Sequence, residues 1–355
     1  MEKNMAKRKT LPKNFEQLVT GDDTETIKKV FDKCDINAYG GYNKGNAFSF
    51  LISEDLMKWL LEQGADINYT DAYGYTPLLY HAGHSFAEQQ ALHLVELGAN
   101  VHAVTGLYNE NALHYAIEAG NLKLVQCLFE AGVDPNALDW HDNTPLEAAF
   151  YQARTFDLVR LAPVTEYLLS QGIPVSGKMQ KYMHDVAKDI EFRRCSLNPD
   201  YIDELDGAMK RLYDLLHVTP VERRMEYDGR SPIVIKEKTW QKQHGELWSL
   251  LVPGSGHANT VQGEAIRISG KISYELLDNG GINWDKEYKM LANAFLQYLH
   301  MGNPLAPTEY KELERICRSI RRADEAELDR MSELAVKWVS LNTDPIPVGK
   351  VDYTR

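Results

Sequence analysis

Apolar positions in the first half of the chain fall into short helical runs that recur. LMKWLLEQG, ALHLVELG, LVQCLFEAG and VTEYLLSQG space their apolar residues three and four apart, and end at Gly64, Gly98, Gly132 and Gly172. The first three glycines are 34 residues apart and the fourth follows after 40. Each opens a related phrase: GADIN, GANVH, GVDPN and the weaker GIPV. Glycine reaches the left-handed conformation without steric cost, so each run reads as a helix closed by such a residue. Asn46-Ala47-Phe48, Thr76-Pro77-Leu78, Asn111-Ala112-Leu113 and Thr144-Pro145-Leu146 align as helix starts. Thr and Asn accept an orphan backbone N–H there, and proline fits the first turn, where its missing donor is not needed. One unit therefore reads turn, helix, short turn, helix, loop.

From residue 177 onward the period is lost but helical spacing continues. KMQKYMHDVAKDIEFRR and PDYIDELDGAMKRLYDLLHV are two helices, the second with Ile202, Leu205, Met209, Leu212, Leu215 and Leu216 on one face. A repeat stack needs such a piece to cover its last apolar surface. Residues 219–239 hold an Asp-Gly turn and the run Ile233-Val234-Ile235, which fits a short hairpin or an extended linker. Helices are then expected over 240–251, 260–278 (capped by Thr260), from Asp285, and over 307–322 and 324–341, with an extended tail. Gly263 and Gly270 are seven residues apart on one helix face, where close packing would explain them.

The phrase NALHYAIEAGNLKLVQCLFEAGVDPNA (Asn111 to Ala137), with GYTPLLYHA and NTPLEAA, resembles the ankyrin repeat. About five units follow over 11–176, the first a degenerate cap with Lys33 where the glycine should be, then capping helices over 177–218 and a helical domain over 219–355. The fold class is all-α. The passage from Glu246 to Asp285 resembles segments of short uncharacterised bacterial proteins, a likeness that carries no chemistry.

Aligned on the repeat, the turn tips carry Tyr42-Asn43, Ala72-Tyr73, Leu107-Tyr108 and Trp140-His141, so every complete unit has an aromatic ring there. The resemblance implies that these tips project as a row of fingers beside a concave binding face. Tyr75 and Glu110 stand one residue before a helix cap, where ankyrin proteins vary. Tyr and Trp give large contact area at small entropic cost, which suits an interface. The other reading is that the rings stack on neighbouring fingers and stiffen the array. The partner-binding set is Tyr42, Tyr73, Tyr75, Tyr108, Glu110, Trp140, His141 and Asp142.

Charge sharpens this reading. Net charge is −12, and residues 11–176 carry 22 Asp/Glu against 9 Lys/Arg, while the first ten residues are basic. Such a segment repels nucleic acid and anionic membrane and favours a basic protein; it also simply keeps a protein soluble. If the chain is bacterial, an immunity-type inhibitor of a toxin follows. Cys34, Cys127, Cys195 and Cys317 stand far apart, which fits a reducing cytoplasm, and no apolar run suits a signal peptide or membrane span. Fixed structure is expected throughout, except over the first ten residues and the last few.

Enzyme signals fail. PGSGHANT lacks the Lys-Ser/Thr of a phosphate loop and the spacing of a nucleophile elbow. His81 and His84 have no third metal ligand, and His114 takes the histidine position of the ankyrin TPLH phrase, where the resemblance implies a hydrogen bond between repeats. Glu54-Asp55 and Asp22-Asp23 suit helix starts. Arg315, Arg318, Arg321 and Arg322 precede an acidic stretch and read as a solvated, paired surface. No cofactor or metal is expected. The remaining alternatives are an enzyme or small-ligand sensor with a polar pocket at Gln262, Glu264 and Arg267, and a two-partner adaptor. For those three residues the competing reading is structural.

Overall fold

The computed structural model describes residues 6–21, 24–225 and 227–355. Asp22-Asp23 lies outside them, as do residues 1–5. The chain is mostly helical, 57% helix and 4% strand, an all-α fold. It divides into two compact units: 1–189 with 198–221, and 190–197 with 222–355.

In the first unit, helix pairs repeat as the pattern predicts. Thr76 caps Pro77–Ala82, Asn111 caps Ala112–Glu118 and Thr144 caps Pro145–Gln152, each through its side-chain oxygen. Each is followed by an outer helix: Glu88–Glu96, Leu122–Glu130 and Asp157–Ser170. The earlier unit is shorter: Asn46 caps only a single turn, Ala47–Ser49, ahead of Glu54–Glu62. Gly64, Gly98, Gly132 and Gly172 have φ of +84°, +89°, +79° and +90°, the left-handed closures the runs call for. The cap side chains also reach across their own unit. Asn46 Nδ2 donates to Asp66 O at 2.7 Å and Asn111 Nδ2 to Asp134 O at 2.9 Å, tying a helix start to its closing loop. Between units, Asn37 Oδ1 accepts from Asp66 N and Asn68 Oδ1 from Asn100 N, both at 2.7 Å. Leu78, Leu79, Leu113, Ile117, Leu124 and Leu128 are fully buried between the helices. Burying one such side chain contributes about 1.5–3 kcal/mol.

The basic start departs from expectation. Arg8–Thr10 forms a strand that pairs in parallel with Cys34–Tyr39, with a bulge between Arg8 and Thr10. The pairing gives the first repeat's chain an edge that helix periodicity cannot reveal. Below it Phe15 sits edge-on to Phe31 and Phe50, with ring centroids 6.1 and 5.1 Å away. At the other end of the unit, Ile202–Leu216 packs on Asp157–Ser170 and buries Leu205, Met209, Leu212 and Leu216.

The second unit is built around one helix, Val261–Ser273, which is buried on all sides. Trp240–Leu251, Lys286–Tyr298 and Glu325–Leu341 pack against it, with Pro307–Arg318 behind. Thr260 and Asp285 cap their helices through their side chains. A Cβ on Gly263 would meet the Ala258 Cβ at 2.6 Å, and one on Gly270 would enter the Trp248 ring, so both glycines serve close approach. Of the two forms open for 219–239 the extended one is found: Ile233 N donates to Thr343 O at 2.8 Å, and no strand pairs there among the described residues.

Candidate functional site

The four finger turns are each closed by a backbone bond, Gly40 N to Gly45 O, Asp71 N to Tyr75 O, Thr105 N to Glu110 O and Asp139 N to Asn143 O, and the last three add a side-chain acceptor. Asp71 Oδ1 accepts from Tyr73 N at 2.8 Å and Tyr75 N at 2.9 Å, and Asp139 Oδ1 accepts from His141 N and Asn143 N, both at 2.8 Å. In the third finger Thr105 replaces the acid: Glu110 N donates to its Oγ1 at 3.2 Å. Lys44, Gly74, Asn109 and Asp142 turn the corner in the left-handed region, at φ +59°, +86°, +54° and +59°. The turn acids therefore have a structural task beyond their charge. Asp139 is buried, whereas Asp142 is exposed.

On this frame the tip rings stay in solvent. Tyr42 is 87% exposed, Tyr73 51%, Tyr108 37% and Trp140 60%. They also pair. Tyr42 stacks on Tyr73 with centroids 5.9 Å apart, and Tyr108 meets Trp140 edge-on at 6.0 Å. The backbone joins the same partners, Ala72 N donating to Asn43 O at 2.9 Å and Trp140 N to Tyr108 O at 3.0 Å. Stacking and exposure, set against each other in the sequence, are both present: each ring braces one neighbour and keeps a free side. His141 is exposed too, with its ring 3.8 Å from that of Trp140.

Tyr75 and Glu110 lie deeper and are half-buried. Tyr115 joins them, donating its hydroxyl to Glu110 and lying 3.3 Å from the Tyr75 hydroxyl. Burial pushes the Glu110 carboxyl up, Tyr115 pulls it partly back, and Asp139 adds to the rise. Glu118 is likewise raised by burial, then by Glu110 and Asp157. Carboxylates here feel one another, which marks a locally negative field.

Sequence reasoning missed several exposed apolar residues in this unit: Leu107 at 73%, Phe86 at 74% and Tyr151 at 54%. Leu107 occupies a tip position already aligned, so an apolar rather than an aromatic criterion would have found it. Phe86, with Tyr42, Phe50, Tyr80 and Asp71, lines a cleft of about 300 Å³.

His81 Nε2 lies 2.9 Å from Phe48 O of the preceding repeat, and His84 Nδ1 lies 2.7 Å from Tyr80 O, so both rings are spent on backbone. His114 closes a capping box with Asn111. Burial brings His81 and His114 down to about 4. Among the described residues no cluster of three or more His, Cys, Asp or Glu could hold a metal ion.

Gln262, Glu264 and Arg267 are buried and bonded to protein. Arg267 Nε donates to Glu264 Oε1 at 2.6 Å and Nη2 to Oε2 at 2.8 Å. Ala258 N and the Tyr353 hydroxyl complete the carboxylate, at 2.7 and 2.5 Å. Burial alone would raise Glu264, but Arg267, Tyr353 and Ala258 together outweigh it and the carboxyl is held low. Gln262 Nε2 donates to Asn342 O at 2.8 Å and Asp344 O at 2.7 Å, while its Oε1 accepts from Ile346 N at 3.0 Å. These three side chains fasten the tail 342–355 to the central helix.

The comparisons agree with the first unit. The family described as ankyrin repeats (3 copies) matches residues 47–139 and 87–176. The B-cell lymphoma 3 protein homolog of Mus musculus is 38% identical over 106 residues, 28% of this chain and 22% of that protein. A putative ankyrin repeat protein of Fowlpox virus is 34% identical over 93 residues, 26% of this chain and 63% of the relative. The ankyrin repeat and SOCS box protein 3 of Homo sapiens is 34% identical over 92 residues, 26% of this chain and 18% of that protein. The chain thus spans less than two thirds of each of these relatives. Residues 47–176 match the ankyrin-repeat family, whose repeats indicate a protein–protein interaction module.

Proposed function

We propose that the repeat unit captures a basic protein partner through its finger tips, without doing chemistry itself. The observation that carries this is the exposure of Tyr42, Tyr73, Tyr108 and Trp140 on turns held by backbone hydrogen bonds. Rigid rings in solvent lose little freedom on binding, so the contact area they bury is converted to affinity efficiently. The excess of 22 Asp/Glu over 9 Lys/Arg in residues 11–176 supports a basic partner over nucleic acid or an anionic membrane. The sharper form is an immunity-type inhibitor in the cytoplasm, covering a toxin surface that normally grips an anionic substrate. No cofactor enters this reading. Among the described residues no helix is long and apolar enough to cross a membrane.

The test is capture of the partner from the native cell by wild type and by the quadruple variant Tyr42→Ala/Tyr73→Ala/Tyr108→Ala/Trp140→Ala. Loss of the partner with the helical fold retained is expected, and equal capture would refute the reading. Trp140→Ala alone should weaken binding by about 1–3 kcal/mol. Affinity should also fall with added salt, because exposed charges are screened over about 8 Å at physiological ionic strength.

A further inference from the structure

The second unit gathers cations around a cavity of about 420 Å³, a volume suited to a small ligand. Lys289 comes from Lys286–Tyr298, Arg318 from the end of Pro307–Arg318, and Arg321 and Arg322 from the short turn Ile320–Arg322. Trp284 forms part of the wall, stacked on Tyr288 at 5.0 Å. No acidic residue lines the cavity among the described residues.

Among the described residues, three other cations on these helices and on Glu325–Leu341 are matched by carboxylates, while Lys286 and Lys311, like Lys289, are not. Arg315 pairs with Glu327 at 2.5 Å, Arg330 with Glu333 at 2.7 Å and Lys337 with Glu309 at 2.6 Å. Among the described residues Arg318 has only Glu314, at 3.9 Å and in solvent. Among the described residues the side chains of Lys289, Arg321 and Arg322 have no hydrogen bond or ion pair. The paired surface expected of the basic run thus holds for Arg315 and weakly for Arg318, and stops there. The helix dipole gives Arg315 and Arg318 a task in the last turn of Pro307–Arg318 but does not reach Lys289 on another helix. Cations that converge without carboxylates repel one another, and an anion between them reverses the sign of that interaction. Two guanidinium forks and an ammonium match the oxygens of a phosphate.

We propose that this cavity binds a small phosphate-bearing anion, held by Lys289, Arg321 and Arg322, with Trp284 against the body that the phosphate carries. The site is independent of the finger tips and gives the second unit a ligand of its own.

Titration calorimetry on the full-length protein at low salt tests it, with inorganic pyrophosphate and adenosine monophosphate as probes. Wild type should bind at least one of them with a Kd below about 1 mM. Arg321→Gln/Arg322→Gln should weaken that binding about tenfold or more, and Lys289→Gln alone should weaken it measurably should the double variant not fold. The control Lys238→Gln/Lys242→Gln removes the same charge from the same unit and should leave affinity within about twofold. Tighter binding of the nucleotide assigns a phosphate ester, and tighter binding of pyrophosphate an inorganic anion; either supports the site. The proposal is overturned if neither probe binds wild type, if the control variant weakens binding as much, or if an oligoribonucleotide binds and neither small anion competes.

Discussion

The two units handle polar side chains in opposite ways. In the repeat unit, Asp71 and Asp139 bond to backbone of their own turn and Asn46 and Asn111 to backbone of their own repeat, and the tip rings face water. In the second unit, Gln262, Glu264 and Arg267 lie inside the core and bond to groups more than eighty residues away, at Asp344, Tyr353 and Arg355. Local polar bonds make a structure that can be lengthened unit by unit and offers its surface to others. Long-range polar bonds make one that closes on itself and depends on every member being satisfied. The first arrangement suits a binding module, and the second suits a body whose tail must stay docked.

The sharpest way to break this contrast is Arg267→Ala. Removing it leaves Glu264 buried and without its guanidinium, with Tyr353, Ala258 and, at 3.7 Å, the His257 ring as remaining neighbours, and breaking such a pair costs about 3–5 kcal/mol. Hydrogen exchange should show protection lost in Val261–Ser273 and in 342–355, while the repeat helices keep theirs. Replacing both partners, Glu264→Gln with Arg267→Met, should recover much of the loss, because no lone charge remains. An unprotected tail in the wild type would contradict the docking role.

Acid should weaken both units by a shared mechanism. His81 and His114 are buried and His244 is half-buried, and desolvation holds each down to about 4. An unfolded chain takes up a proton near pH 6.5 and the folded one does not until about 4. The stability tied to each ring is thus present above about 6.5 and is lost as pH falls towards 4, by up to about 3 kcal/mol per ring. Melting temperature should drop steadily over that window. His81→Gln should flatten the drop in the repeats, and His244→Gln in the second unit. Glu110 moves the other way: burial raises it, so a basic partner that prefers the carboxylate should bind more weakly as pH falls through its elevated pKa.

The contrast also explains what could be read in advance. Caps, terminal glycines and the 34-residue spacing lie within a few positions of the contacts they serve, so the repeat fold and its ring-bearing tips were visible in the string. The strand Arg8–Thr10 was not, because its pairing depends on Cys34–Tyr39 and on no local period. Glu264 and Arg267 could be read as pocket residues or as structural ones for the same reason. A charge in a sequence carries no mark of burial, and the groups that satisfy it, Tyr353 and Arg355, sit in a tail with no helical pattern. The cations Arg321 and Arg322 were seen, but which of that run would find carboxylates depended on the turn Ile320–Arg322.

The smallest effect would sharpen the picture of the fingers. Lys44, Asn109 and Asp142 hold the left-handed corner that Gly74 holds in the second finger. Asn and Asp tolerate that region through local hydrogen bonds, whereas lysine has no such relief. Lys44→Gly should remove steric cost while adding chain entropy to the unfolded state, for a net gain of about 1 kcal/mol or less. Gly74→Ala should lose at least as much, since it introduces the strain where none existed. If the corner is a shared device that keeps Tyr42 and Tyr73 stacked, both changes should alter stability with opposite signs and leave partner affinity alone. A Lys44→Gly variant that is less stable, or that binds differently, would mean that the lysine side chain rather than the turn geometry matters at the first finger.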